Sequence, residues 1–125
     1  MIFVPYWPTS VNKTWRQAKG STYLDPRVER FRVNVRAEIV RARLMGRLPD
    51  EPFDGPLKIK IRFFPPNCQR RDLDNLFKGP FDAFTFSGLW LDDSQVKAID
   101  AALCEPVGIE LAGFAFGIRE LAEKK

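Results

Sequence analysis

The run Leu57-Lys58-Ile59-Lys60-Ile61-Arg62-Phe63 constrains this chain more than any other stretch. Apolar and basic side chains alternate strictly, and only an extended strand turns a period of two into one buried face and one basic face. Upstream, Val28, Phe31, Val35, Ile39 and Ala42 recur at spacings of three and four, the stripe of an amphipathic helix. Asp25 and Pro26 supply an N-cap and a first-turn proline, and Gly46 with Pro49 ends the helix. Arg27, Arg30, Arg41 and Arg43 lie off the stripe, so this helix offers a core face and a basic face.

The 125 residues make one domain, residues 1–125, with an ordinary 45% hydrophobic content. Residues 1–7 read as a short strand, with Pro5 and Pro8 favouring an edge, and residues 9–16 as a polar, basic, aromatic loop. There Lys13 and Arg16 suit phosphate contact and Trp15 suits stacking on a base, unless Trp15 plugs the edge of the core. Residues 21–24 give another short strand, and Pro65-Pro66 stops the alternating one. Leu73, Leu76, Phe77, Phe81 and Phe84 form the apolar face of a second helix that closes near Ser87-Gly88. Pro80 inside it would remove a hydrogen bond to Leu76, which predicts an irregular turn at Gly79-Pro80. Residues 96–104 are helical on alanine content alone, yet Pro106-Val107-Gly108 between two apolar runs favours antiparallel strands over 96–104 and 109–118, joined as a hairpin. A polar tail follows.

The first residues show neither a signal peptide nor a membrane span, and Cys68 and Cys104 stand apart, so a cytosolic protein with free thiols is expected. There is no histidine. That removes Ser-His-Asp and Cys-His catalysis, a histidine base and histidine-ligated zinc. Charge is uneven: residues 12–47 hold ten Lys or Arg against three acids, although the whole chain is only +4. A polyanion such as nucleic acid fits this surface, and a solvated helix face is the plainer reading.

Four aspartates stand in two pairs, Asp72 with Asp74 and Asp92 with Asp93, on either side of the second helix. Carboxylates about 4 Å apart repel by roughly 4 kcal/mol at an effective dielectric of 20, so converging pairs call for a cation, with Mg²⁺ the natural choice and Mn²⁺ a substitute. In an extended segment Asp72 and Asp74 share a face; Asp92-Asp93 before Ser94 equally marks a turn or cap. Lys78, four residues after Asp74, can point at the same site and steady a phosphate or a leaving oxygen, or pair with Asp74 or Asp82. Hydrolysis of a phosphodiester needs only such parts. The Glu-x-Lys pattern of other nucleases occurs only as Glu123-Lys124-Lys125, too peripheral to anchor a site. A noncatalytic DNA-binding module with structural aspartates is the competing reading.

These residues carry a resemblance. The segments RRDLDNLFK and FDAFTFSGLWLDDSQV, with Pro8, Ser10, Asn12 and Arg16 in a P-x-S-x-N-x-x-x-R pattern, resemble the RusA family of Holliday junction resolvases, in loose form over nearly the whole chain. The resemblance implies an α+β fold, a mixed sheet with two main helices packed on it, and it favours strands for the last two segments. It implies a Mg²⁺-dependent homodimer that binds four-way DNA junctions in a bacterial or phage-infected cell and nicks two strands symmetrically. Asp72, Asp74 and Asp93 would be the catalytic and metal-binding acids, Asp92 a neighbouring or supporting acid in the metal set and Lys78 the catalytic lysine. Asn12, Lys13, Arg16, Arg70 and Arg71 are the candidate DNA contacts. Gly79-Pro80 departs from a continuous helix there, and surplus phenylalanines such as Phe114 and Phe116 belong to the core or to a subunit interface.

Overall fold

The structure is a computed structural model that describes residues 1–8, 15–18 and 21–121, with 15–18 and 21 described by backbone alone. Among the described residues, six strands and two α-helices run in the order β1 (Ile2–Val4), β2 (Trp15–Ala18), β3 (Ser21–Leu24), α1 (Pro26–Leu44), β4 (Leu57–Phe64), α2 (Lys78–Phe86), β5 (Val96–Leu103) and β6 (Gly113–Glu120). The main sheet has the order β1-β6-β4-β5, and β2 and β3 form a separate antiparallel pair. Trp15 and Arg16, expected in a loop, thus belong to a strand by their backbone. Asn12 and Lys13, Ser10, and residues 123–125 lie outside the described residues.

The alternating strand is the centre of the sheet. Leu57, Ile59, Ile61 and Phe63 are fully buried, and Lys58, Lys60 and Arg62 leave by the opposite face. Against the buried face lies the α1 stripe, Phe31, Val35, Ile39 and Ala42, while Val28 is only half-buried. The Asp25 carboxylate accepts the N–H of Arg27 at 2.9 Å, and Pro26 occupies the first turn, as the sequence predicts. Phe63, Phe84, Phe114 and Phe116 meet in the core, with Phe84 and Phe116 ring centres 4.7 Å apart. Phe114 and Phe116 therefore serve the core and not an interface. Burying a side chain of this size stabilises by about 1.5–3 kcal/mol.

The expected hairpin between the last two strands does not form. β5 runs parallel to β4, and β6 runs antiparallel to β4 on its other side, pairing Phe63 with Phe114 and Ile61 with Phe116. A parallel neighbour needs a long crossover, and residues 65–95 with α2 provide it. Residues 104–112, with a 3₁₀ turn at Ile109–Leu111, then carry the chain past β4 to the free side.

Pro80 is accommodated by a restart. Leu73–Leu76 forms a 3₁₀ turn, α2 begins at Lys78, and the Phe81 N–H bonds to the Phe77 carbonyl at 2.9 Å. Pro80 thus falls in the first helical turn, where its missing N–H has no partner to lose. The irregularity lies just before Gly79-Pro80.

Candidate active site

Two adjacent cavities share the first turn of α2. One, about 520 Å³, is lined by Arg32, Lys78, Asp82, Thr85, Phe86, Asp92 and Asp93. The other, about 450 Å³, is lined by Trp7, Pro8, Gln69, Arg70, Arg71, Asp72, Asn75, Leu76 and Gly79. The structure brings Lys78, Asp92 and Asp93 to one cleft, places Asp72 in its neighbour, and leaves Asp74 exposed at neither. The two carboxylates of the first pair do not share an extended face, because Asp72 is extended while Asp74 sits inside the 3₁₀ turn. Among the described residues no three acidic or cysteine side chains gather as a cation cage. The donor set itself, carboxylate oxygens without histidine, suits a hard divalent cation.

The second aspartate pair is positioned by the segment before it. Gly88 adopts φ 72° at the end of α2, a left-handed conformation suited to glycine. Leu89 and Trp90 then enter the core. The Trp90 indole stands edge-on to Phe81 and Phe84, each at 5.3 Å, and donates to Thr85 Oγ1 at 2.7 Å. Arg43, from the end of α1, donates to the Gly88 carbonyl at 2.8 Å and to the Pro49 carbonyl at 2.9 Å. Arg43 is therefore a clamp on this turn, not part of a DNA-facing surface.

The two acids of the pair then differ. Asp92 starts the 3₁₀ turn Asp93–Gln95, its N–H donating to Gln95 Oε1 and its carbonyl accepting the Gln95 N–H, while its carboxylate accepts a hydrogen bond from Ser94 Oγ. That hydroxyl, above all, holds the Asp92 carboxyl below its ordinary range; desolvation opposes it, and the N–H groups of Ser94 and Asp93 add smaller help. Asp93 is exposed and its carboxylate makes no hydrogen bond among the described residues.

Lys78 Nζ lies 3.1 Å from Asp82 Oδ2, one helical turn along, and the lysine side chain is 76% exposed. Of its two sequence-predicted partners it chooses Asp82 over Asp74. Arg32, from α1, reaches the same carboxylate oxygen with Nη2 at 3.8 Å, and its buried Nε has no partner. A buried donor left unmade costs about 1–3 kcal/mol. Sequence reasoning missed Arg32, Thr85 and Phe86 and saw Asp82 only as a partner for Lys78. The available signal was that Arg32 and Arg36 follow the buried stripe by one residue, and Arg36 indeed stacks over Phe86 at 5.1 Å.

Of the other candidate DNA contacts, Arg71 lies over the Trp7 ring at 5.0 Å and donates to Asn67 and Gln69, so its guanidinium shapes the loop before Asp72. Arg70 is exposed in the Asp72 cavity. The Arg16 backbone pairs with Tyr23, and its side chain is outside the described residues. Cys68 and Cys104 are free. Among the described residues no helix is long and apolar enough to cross a membrane.

Residues 5–110 match the family profile of Endodeoxyribonuclease RusA. Proteins named crossover junction endodeoxyribonuclease RusA from Enterobacteria phage 82, Escherichia coli strain K12 and Shigella sonnei strain Ss046 are each 42% identical to the chain over 90 residues, covering 72% of it and 71% of each relative. With the mixed sheet, the restarted helix and the aspartate-lysine cleft in place, this chain belongs to the RusA family of endodeoxyribonucleases.

Proposed function

We propose that this protein resolves crossover junctions in DNA by hydrolysing phosphodiester bonds, the activity carried in the name of its relatives. The observation that best supports this is the single cleft shared by Asp93, Lys78 and Arg32, an uncommitted carboxylate beside two cations. Lys78 faces the cleft with most of its length in solvent, free to meet a phosphate oxygen or the departing oxygen as charge builds on it. Asp92 holds the backbone on which Asp93 stands, so the two neighbouring acids divide structural and chemical work.

The cofactor in this reading is Mg²⁺, with Mn²⁺ as a substitute; Asp72, Asp74, Asp93 and Asp92 would hold it once the loop carrying Asp72 and Asp74 closes on the Asp93 cleft. When bound, such an ion supplies Lewis acidity and offsets the mutual repulsion of the carboxylates and the phosphate. The protein acts as an isologous homodimer, because a four-way junction is approximately two-fold symmetric and two paired cuts need two sites. Asn12, Lys13, Arg16 and Arg70 grip the backbone of the arms.

A synthetic four-way junction incubated with the protein, with and without Mg²⁺, tests the reading. Two symmetric nicks that appear only with the metal are expected. Tight binding with an intact junction under both conditions would instead make the protein a DNA-binding module with structural aspartates.

A further inference from the structure

We propose that Arg32 and Lys78 form a two-cation clamp on the nonbridging oxygens of the scissile phosphate, with Asp82 as the positioning carboxylate that spaces them before DNA arrives. The proposal rests on the reading of this cleft as the cutting site. Asp82 Oδ2 faces both cations, with Lys78 Nζ at 3.1 Å and Arg32 Nη2 at 3.8 Å. The second distance is too long for a hydrogen bond, and Nε of the same guanidinium is buried without a partner. Among the described residues Arg32 makes no hydrogen bond, although a guanidinium carries five donors in a rigid fork. The Arg32 fork meets Asp82 only through this one 3.8 Å approach, so its donors stay uncommitted to that carboxylate. A phosphate presents two nonbridging oxygens, the geometry that an arginine fork matches.

The two cations differ in mobility. Arg32 is only 20% exposed and stands on the 19-residue helix α1, so its position is fixed by packing. Lys78 is 76% exposed on a flexible stem and can turn from Asp82 to the phosphate. Asp82 is like-charged with the phosphate and touches no reacting atom; it keeps the cations apart and aimed while the cleft is empty. No covalent step is involved. The competing account has Arg32 merely packing α1 against α2.

The test uses the full chain and a synthetic four-way junction. Single-turnover cleavage is measured with Mg²⁺, junction affinity in EDTA by gel shift, and melting temperature for each variant. Arg32→Gln is expected to slow cleavage about a hundredfold, with junction affinity and melting nearly unchanged. Arg32→Lys is expected to recover part of the rate, because it restores charge without the fork. Asp82→Asn is expected to slow cleavage about tenfold by the same electrostatic argument, and Asp82→Glu to rescue part of that loss. Glu51→Gln, on an exposed side chain in the loop before β4, serves as the unaffected control. Cleavage by Arg32→Gln at the wild-type rate would overturn the clamp while leaving the nuclease reading intact, and so would a loss accompanied by a matching fall in melting temperature for both Arg32 variants. Failure of the wild type to cut would overturn the nuclease reading, and the clamp with it.

Discussion

Gln95 and Asp92 bond one another in both directions: the Asp92 carbonyl accepts the Gln95 N–H at 3.1 Å, and Gln95 Oε1 accepts the Asp92 N–H at 2.8 Å. The same Gln95 amide donates to the carbonyls of Phe53 and Gly55, at 2.9 and 3.0 Å, and so ties the acidic turn to the loop before β4. Removing it in Gln95→Ala takes away these three side-chain bonds and a fourth from the Leu91 N–H, each worth about 0.5–1.5 kcal/mol, for a total loss of about 2–6 kcal/mol in urea unfolding. Cleavage is expected to fall by more than the unfolded fraction explains, because Asp93 loses its aim. A variant that is less stable but cuts normally per folded molecule would show that the cap does not position the site.

The Ser94 hydroxyl on Asp92 makes a prediction about acid. The folded carboxyl is held below its ordinary value of 3.8, so its contribution to stability is complete above that value and is lost as pH falls through the lower folded one. Ser94→Ala should therefore melt below the wild type at neutral pH in EDTA, and the gap should close as pH drops below about 4. A gap that stays constant into strong acid would mean that the hydroxyl acts on something other than the charged carboxylate.

Gly113 opens β6 where β1 crosses it. A β-carbon there would sit 2.1 Å from the Val4 carbonyl oxygen and 3.1 Å from the Pro5 α-carbon, both backbone and unable to yield cheaply. Gly113→Ala is expected to cost about 3 kcal/mol, the upper end of overpacking penalties, and to speed amide exchange across Ile2–Val4. Unchanged exchange in β1 would place the strain elsewhere.

Much of this architecture was legible because it is local. The alternation of residues 57–63 marks the central strand, the stripe from Phe31 to Ala42 marks α1, and Asp25-Pro26 marks its start. The partners of a strand are not local. Nothing in residues 96–118 says that β4 will lie between β5 and β6, because that order depends on which face α1 and α2 cover. Asp72 and Asp74 read as a pair on an extended segment, and the 3₁₀ turn at Leu73–Leu76 separates them. Arg32 meets Asp82 only because α1 packs on α2, a contact that no spacing in the sequence announces.

Arg16 carries the basic pattern at the start of the chain, and its strand position leaves the phosphate role to be measured. Arg16→Ala is expected to weaken junction binding and reduce the log-log salt slope by roughly 0.9, the contribution of one phosphate contact on duplex DNA. An unchanged slope would assign Arg16 a structural role in the β2–β3 pair.

In the proposed function Asp93 does chemistry where its neighbour Asp92 builds structure, and Asp93→Asn tests this most directly. Single-turnover cutting of a four-way junction in Mg²⁺ should fall by at least about a hundredfold, the scale of losing one charge-stabilising group. Junction affinity and melting temperature should stay at wild-type values, since the Asp93 carboxylate makes no hydrogen bond among the described residues. Cutting at the wild-type rate by Asp93→Asn would contradict the account.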